Sequence, residues 1–288
     1  MNLNRRTLAL LVTVLMAVPG QRATAQGPEA QNDRPLPDAS SFFRQVRDSI
    51  RRDTGIEREF MYLEERRDVK ISKLGKLEVG PRRTFEVYPS ASPGQTYKRL
   101  IAIEGKPLDA ADLARRDREH QENLRKAADR ERRETPAQRA ERLQEIAEAE
   151  QEQKSMIEDG LAVFAPTIVR REWLDGHPMI VLALTPRPDA RVSTREGRWM
   201  KQFEGTAWVS EIDHEVVKVD MHAKDDVTIG WGLLGRLHEG SRLTFQRRKF
   251  ENVWLPAQIT FDATGRTLLL RKFELNVVTT YSGYKRIS

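Results

Sequence analysis

The sequence contains no cysteine. That excludes a disulfide frame, a thiolate nucleophile, a cysteine-ligated metal and a lipidated N-terminal cysteine. Histidine is nearly as scarce. There are five, scattered along the chain, and His120 lies inside a stretch of mixed charge. No serine sits in a Gly-x-Ser-x-Gly elbow. The residue sets of common hydrolases are therefore missing, and the reading is of a protein that is not an enzyme and carries no cofactor and no metal. Beyond residue 25 no apolar run is long enough to cross a bilayer as a helix.

Charge of one sign is also lacking. The chain has 49 Lys and Arg against 43 Asp and Glu. Residues 1–25 have the order of an export signal: Arg5-Arg6, the apolar run Leu8 to Val18, then Ala23-Thr24-Ala25 as a small-residue cleavage site. A retained anchor is the alternative, and Arg5-Arg6-Thr7-Leu8 has a faint likeness to a twin-arginine signal. Cleavage would remove three arginines and no acid, leaving 46 basic against 43 acidic residues. So small an excess gives no support to nucleic-acid binding. The expected address is the periplasm, with no integral span after cleavage and at most association with a membrane surface.

Residues 26–37 are polar and proline-bearing and read as a flexible leader. The remainder, 38–288, is read as a single domain. Asp38 opens a short helix whose Phe42, Phe43, Val46 and Ile50 share one face. Three strands follow: Phe60 to Ser72, Lys76 to Pro89 and Thr96 to Ile103. They are expected to form an antiparallel group of their own.

Residues 108–160 differ in kind. They are rich in Arg, Lys, Glu and Asp, with almost no apolar stripe in the first half. Thr135-Pro-Ala-Gln138 reads as a capping box that starts a second helix. A helix polar on all sides projects into solvent. This insert is expected to be a spacer or an arm for an envelope protein partner.

Strand character returns at Phe164 to Asp175 and His177 to Leu184, with Asp175-Gly176 as a hairpin turn. Met179 to Leu184 is apolar throughout, so its strand should be covered on both faces. The strongest ladder lies between Trp199 and Ser288. Thr206 to Ile212, Glu215 to Met221, Arg242 to Phe250 and Val253 to Phe261 read as strands. Asp262 to Gly265 reads as a turn, and Thr267 to Thr280 as a long bent strand. Pro256 cannot donate to a ladder, so its strand is an edge or carries a bulge.

Three patterns suggest chemistry and are set aside. Gly230-Trp-Gly-Leu-Leu-Gly235 has the spacing of a dinucleotide loop, but only Arg236 to Glu239 precede the next glycine, too few for the required helix. His214, Asp220 and His222 fall on one predicted face without a fourth ligand. Asp225-Asp226 is a turn pair whose side chains point apart. The aromatic set is more informative. Trp199, Phe203, Trp208, Trp231, Phe245, Trp254, Phe261 and Phe273 recur across successive strands, followed by Tyr281. They are either simply core or, if the sheet curls, the lining of an apolar cavity.

Gly205-Thr-Ala-Trp-Val-Ser-Glu-Ile-Asp-His-Glu-Val-Val-Lys-Val219, Asn252-Val-Trp-Leu-Pro256 and Tyr281-Ser-Gly-Tyr-Lys-Arg286 together resemble the LolA/LolB-like lipoprotein carriers. The resemblance covers about Phe164 to Ile287, and more loosely Phe60 to Ile103; the charged insert departs from it. It implies an incomplete, strongly curved antiparallel β-barrel with helices over an apolar mouth. It also implies binding of a lipid, acyl chain or lipoprotein without catalysis. The same scaffold serves sigma-factor regulators of the RseB kind, so an envelope-sensing or scaffold protein acting through the helical arm is the alternative.

Overall fold

The computed structural model describes residues 34–52, 55–72, 76–90, 96–229, 235–267 and 271–287. The export signal, most of the leader and Trp231 lie outside the described residues. Among the described residues the α-helices are α1 (Ala39–Arg52), α2 (Ala110–Arg133), α3 (Pro136–Val163) and α4 (Arg195–Met200). The strands are β1 (Phe60–Ile71), β2 (Leu77–Tyr88), β3 (Tyr97–Ile103), β4 (Lys106–Pro107), β5 (Phe164–Leu174), β6 (His177–Pro186), β7 (Phe203–Ser210), β8 (Val216–Ala223), β9 (Val227–Ile229), β10 (Gly235–Leu237), β11 (Arg242–Phe250), β12 (Val253–Arg266) and β13 (Lys272–Arg286).

All thirteen strands join one antiparallel sheet in the order β4-β3-β2-β1-β13-β12-β11-β8-β7-β6-β5, with β9 and β10 branching from β12. Among the described residues the two ends, β4 and β5, are not paired with each other, so the barrel is open. The first strands are thus no separate group. Phe60 of β1 pairs with Arg286 of β13, a contact between chain ends that local sequence does not announce. Asp262 to Gly265 is strand rather than turn, paired with Asn276 to Phe273. Pro256 sits in an interior strand beside a register shift, the bulge that its missing N–H requires.

Six strand pairs carry register shifts, and bulges increase twist. Gly205 marks the tightest approach. A Cβ there would lie 2.0 Å from the Asp220 carbonyl oxygen, so only glycine lets β7 press this closely on β8. At Gly265 the Phe273 ring covers the bare backbone, 2.7 Å from where a Cβ would stand.

Asp38 caps α1 by accepting from Ser41 N at 2.9 Å. The apolar stripe of α1 then packs Phe42 and Val46 on Ile180, Leu182, Ala207, Val209 and Val216. Burying the Phe42 ring contributes about 2–3 kcal/mol. Just before this helix, Arg171 ties down the chain by donating to the carbonyls of Arg34 (2.7 Å) and Pro35 (3.0 Å). Met179 to Leu182 of β6 are all buried, as the apolar run requires.

The charged insert forms the two helices that Pro136 separates. The Thr135 hydroxyl accepts from Gln138 N at 3.3 Å, and the Gln138 side chain accepts from Thr135 N at 2.9 Å. Helix α2 buries none of its described side chains. Its foot is nonetheless anchored. His120 stacks on Tyr97 with centroids 3.9 Å apart, and Arg99 holds Asp117 through two bonds of 2.9 and 2.8 Å. Burial and the bond to Asp117 push the Tyr97 phenol up to about 12. At the other end α3 enters the core with Met156, Ile157 and Val163. The buried Asp159 carboxylate there accepts from Ser193 N and Thr194 N (3.0 and 2.7 Å) and from the Thr194 hydroxyl (2.6 Å). Burial alone would raise this carboxyl, but those donors hold it below its usual value.

Candidate functional site

The alternation of β6 to β13 puts one apolar face on a single side of the sheet. Leu182, Ala207, Val219, Phe245, Ile259 and Thr279 are successive cross-strand partners. Two residues along, Leu184, Gly205, Met221, Leu243, Phe261 and Val277 form a second row. Phe203 opposite Ala223 and Ala263 opposite Leu275 continue it. Residues directly opposite share a face, and α1 covers one end of this one at Ile180, Leu182 and Ala207.

Four of the eight aromatics expected to line a cavity meet farther along. Trp199 of α4, Phe203, Phe261 and Phe273 pack on buried Ala223, Val227, Leu237, Ala263, Leu275 and Val277. All four are only half-buried. Val69 and Leu77 join them from β1 and β2. Phe245 lies on the same face but is fully covered, at 3% exposure.

Trp208 and Trp254 are not brought to this group. Trp208 pairs with Val181 and Lys218 on the opposite face, and its indole donates to Glu172. Trp254 is 1% exposed and packs with Met179, Val217, Leu174 and Trp208. A buried indole N–H needs an acceptor, and Asp213 supplies it at 2.7 Å. Lys249 and Ser210 donate to the same carboxylate at 2.8 and 3.1 Å. Burial would raise Asp213, yet these donors hold it below its usual range. This contact fastens the Gly205 to Val219 segment to the Asn252 to Pro256 segment. The Tyr284 hydroxyl, donating to the Pro256 carbonyl at 2.7 Å, fastens the third segment to the second.

The other candidates separate. Asp220 pairs with Arg242, and His222 faces Glu204 at 3.4 Å. His214 sits in a left-handed turn at φ 59 with its ring 5.5 Å from that of Phe42. Asp226 accepts from the Glu239 backbone and meets His238 at 3.2 Å. Among the described residues no group of three or more metal-ligating side chains converges. A polar recess of about 910 Å³ lies between α2 and α3, lined by Lys126, Arg130, Arg133, Asp129 and Glu134 among others.

Sequence reasoning missed the polar end of the apolar face. Glu64 of β1 is 2% exposed. Its two oxygens accept from Arg66 Nη1 and Lys98 Nζ, each at 2.5 Å. It is paired with Tyr281, which is in ring contact with Tyr62 at 5.9 Å. Burial, reinforced by the Glu64 charge, pushes both phenols well above their ordinary range. The strand period alone sets Tyr62 and Glu64 on the face opposite Met61 and Leu63. That period does not say which of the two faces is covered.

No protein-family model matches the sequence, and no curated protein matches it. Solved structures do. A LolA superfamily protein from Nitrosomonas europaea is similar, with 11% identity, 88% of this chain and 95% of that chain covered, and a TM-score of 0.30. A DUF1329 family protein from Desulfovibrio piger has 11% identity, 86% and 92% coverage and a TM-score of 0.29. MucB, in complex with MucA(peri), has 10% identity, 85% and 94% coverage and a TM-score of 0.19.

Proposed function

We propose that this chain is an exported, non-enzymatic protein of the periplasm that buries the acyl chain of a lipid or lipoprotein on the apolar face of its open sheet. One observation carries the reading. Trp199, Phe203, Phe261 and Phe273 stand half-buried around a single apolar cluster. Trp199 is its only helical member among the described residues, whereas α1 seals the neighbouring stretch. Apolar surface left partly open on one face of the sheet gains about 25 cal/mol per Å² when a ligand covers it. Movement of α1 would widen access. The Arg51–Glu158 pair that links it to α3 is about half exposed at both ends, and such surface pairs contribute at most about 1 kcal/mol. The signal-like residues 1–25 support the address, and no described helix is long and apolar enough to cross a membrane.

The test is organic extraction and native mass spectrometry of protein purified from the cell envelope. A stoichiometric amphiphile is expected. Empty protein that also takes up no added fatty acid would contradict the reading. A second reading, a scaffold acting through the arm, is favoured by the bare surface of α2 and by exposed Leu124 and Leu143. Replacing residues 122–152 with a flexible Gly-Ser segment spares the anchored foot and the buried end. Unchanged envelope cross-links in that variant would remove it.

A further inference from the structure

We infer that the sheet carries a docking surface for an anionic bilayer, a row of cations formed by Arg236, Arg266 and Lys272 at the margin of the open apolar cluster; the choice of a bilayer over other polyanions rests on the acyl-binding reading.

Register makes the row. Arg236 of β10 stands directly opposite Arg266 of β12, and Arg266 directly opposite Lys272 of β13. Residues directly opposite share a face, and like charges so placed destabilise a sheet. Neighbouring strands lie about 4.8 Å apart, so three cations crowd into about 10 Å. All three are exposed, and so is Arg271, which adjoins Lys272. Acids do not balance them. Within two residues of the row the sequence holds one acid, Glu274, and among the described residues it makes no ion pair. Asp226 reaches Arg236 at 3.6 Å and divides its carboxylate among that arginine, His238 and the Glu239 N–H. Among the described residues Arg266, Arg271 and Lys272 have no acidic partner. Four cations thus stand against two acids, and an external anion would relieve the repulsion along the row.

The reverse side of the same strands favours a bilayer as the source of that anion. Leu237, Gly265 and Phe273 are the next residues along, and they too stand opposite one another. Leu237 and Phe273 point to the other face, where they belong to the open cluster with Trp199, Phe203 and Phe261. Cation and apolar residue therefore alternate along one margin of the sheet. Such a margin suits the boundary where lipid phosphates meet acyl chains. It suits a single soluble anion less, because side chains standing side by side on a ladder do not converge on one point. The other arginine-rich surface is the outer side of α1, with Arg44, Arg47, Arg51 and Arg52 exposed. There Asp48 lies among the arginines, and Glu158 holds Arg51 at 2.8 Å.

The experiment sediments the full mature chain with phosphatidylcholine vesicles, with and without phosphatidylglycerol. Binding should require phosphatidylglycerol and weaken steeply with added salt. Each basic residue near an anionic surface is worth about fivefold in partitioning. Arg266→Gln, Arg271→Gln and Lys272→Gln together should therefore weaken binding about a hundredfold. Arg266→Lys with Arg271→Lys keeps the charge and should bind as the wild type does. Arg44→Gln with Arg47→Gln should weaken binding far less than the triple change. The triple variant should still take up fluorescent fatty acid with wild-type affinity. No dependence on phosphatidylglycerol, or a triple variant that binds vesicles like the wild type, overturns the docking surface and leaves the acyl-binding reading standing. A loss from the α1 pair as large as that from the triple change overturns it as well. Vesicle binding lost as expected, with no fatty-acid uptake by either protein, supports the charged surface and overturns the reading beneath it.

Discussion

Gly205→Ala is the sharpest test of how this sheet bends. The added methyl would lie 2.0 Å from the Asp220 carbonyl oxygen and 2.9 Å from the Asp220 carbonyl carbon and the Met221 Cα. All three atoms belong to backbone, so no side chain can swing aside. β7 or β8 must retreat by roughly 1.4 Å or more to reach ordinary contact, and the Gly205–Met221 pairing lies in the row that includes Leu243, Phe261 and Val277. Overpacking of this kind costs about 1–3 kcal/mol, and the upper end applies where backbone must move. At about 2–4 °C per kcal/mol for a chain of this size, Tm should fall by roughly 6–12 °C. Gly176→Ala is the control. It has φ +78 and nothing within 4 Å of the new Cβ, so only the left-handed backbone is penalised, by about 1–2 kcal/mol. Thermal and urea unfolding would rank the two. If Gly205→Ala costs no more than Gly176→Ala, the close approach of β7 to β8 is not real, and the bend derived from it fails.

Other consequences follow from buried charge. Glu215 and Arg247 are each 1% exposed, with 3.4 Å between them, and Arg247 also donates to the Val216 and Trp254 carbonyls. Arg247→Met alone should destabilise by about 3–5 kcal/mol by stranding Glu215. Arg247→Met with Glu215→Leu should recover much of that loss in urea melts, and a double variant as weak as the sum of the singles would contradict the pairing. Asp159 has its carboxyl held low in the folded state despite burial. Its contribution is therefore present above the unfolded carboxylate range near about 3.9 and lost as pH falls through the folded value. Asp159→Asn should be weaker than wild type at pH 7, with the gap closing toward pH 3; a constant gap would refute the assignment. His214 is pushed down by burial against Phe42, so its stabilising neutral form is present above about pH 6.5 and is lost as pH falls below it. His214→Asn, which tolerates the left-handed turn, should flatten the stability curve between pH 7 and 5.

Periodic segments were legible in the sequence. The α1 stripe, the buried run Met179 to Leu182 and the capping box at Thr135 needed only spacing and residue type. Pairing between distant segments was not, because β1 meets β13 across more than two hundred residues. The turn expected at Asp262 to Gly265 failed for a local reason. Phe273 covers Gly265 from the next strand, so a residue that usually breaks strands is held inside one. The aromatic set divides in the structure. Trp199, Phe203, Phe261 and Phe273 meet, while Trp208 and Trp254 turn to Glu172 and Asp213, where their N–H groups find acceptors. Period two assigns residues to two faces and cannot say which face is inside, which is why Glu64 went unnoticed as a buried charge.

The absence of cysteine makes the central claim directly measurable. A single cysteine placed by Phe273→Cys, labelled with an environment-sensitive dye, reports from the open apolar cluster. The same label at Val169, which is 50% exposed, reports from outside it. Titration with a long-chain fatty acid should give a saturable blue shift at 273 and none at 169. No shift at 273, or equal shifts at both positions, would contradict the account.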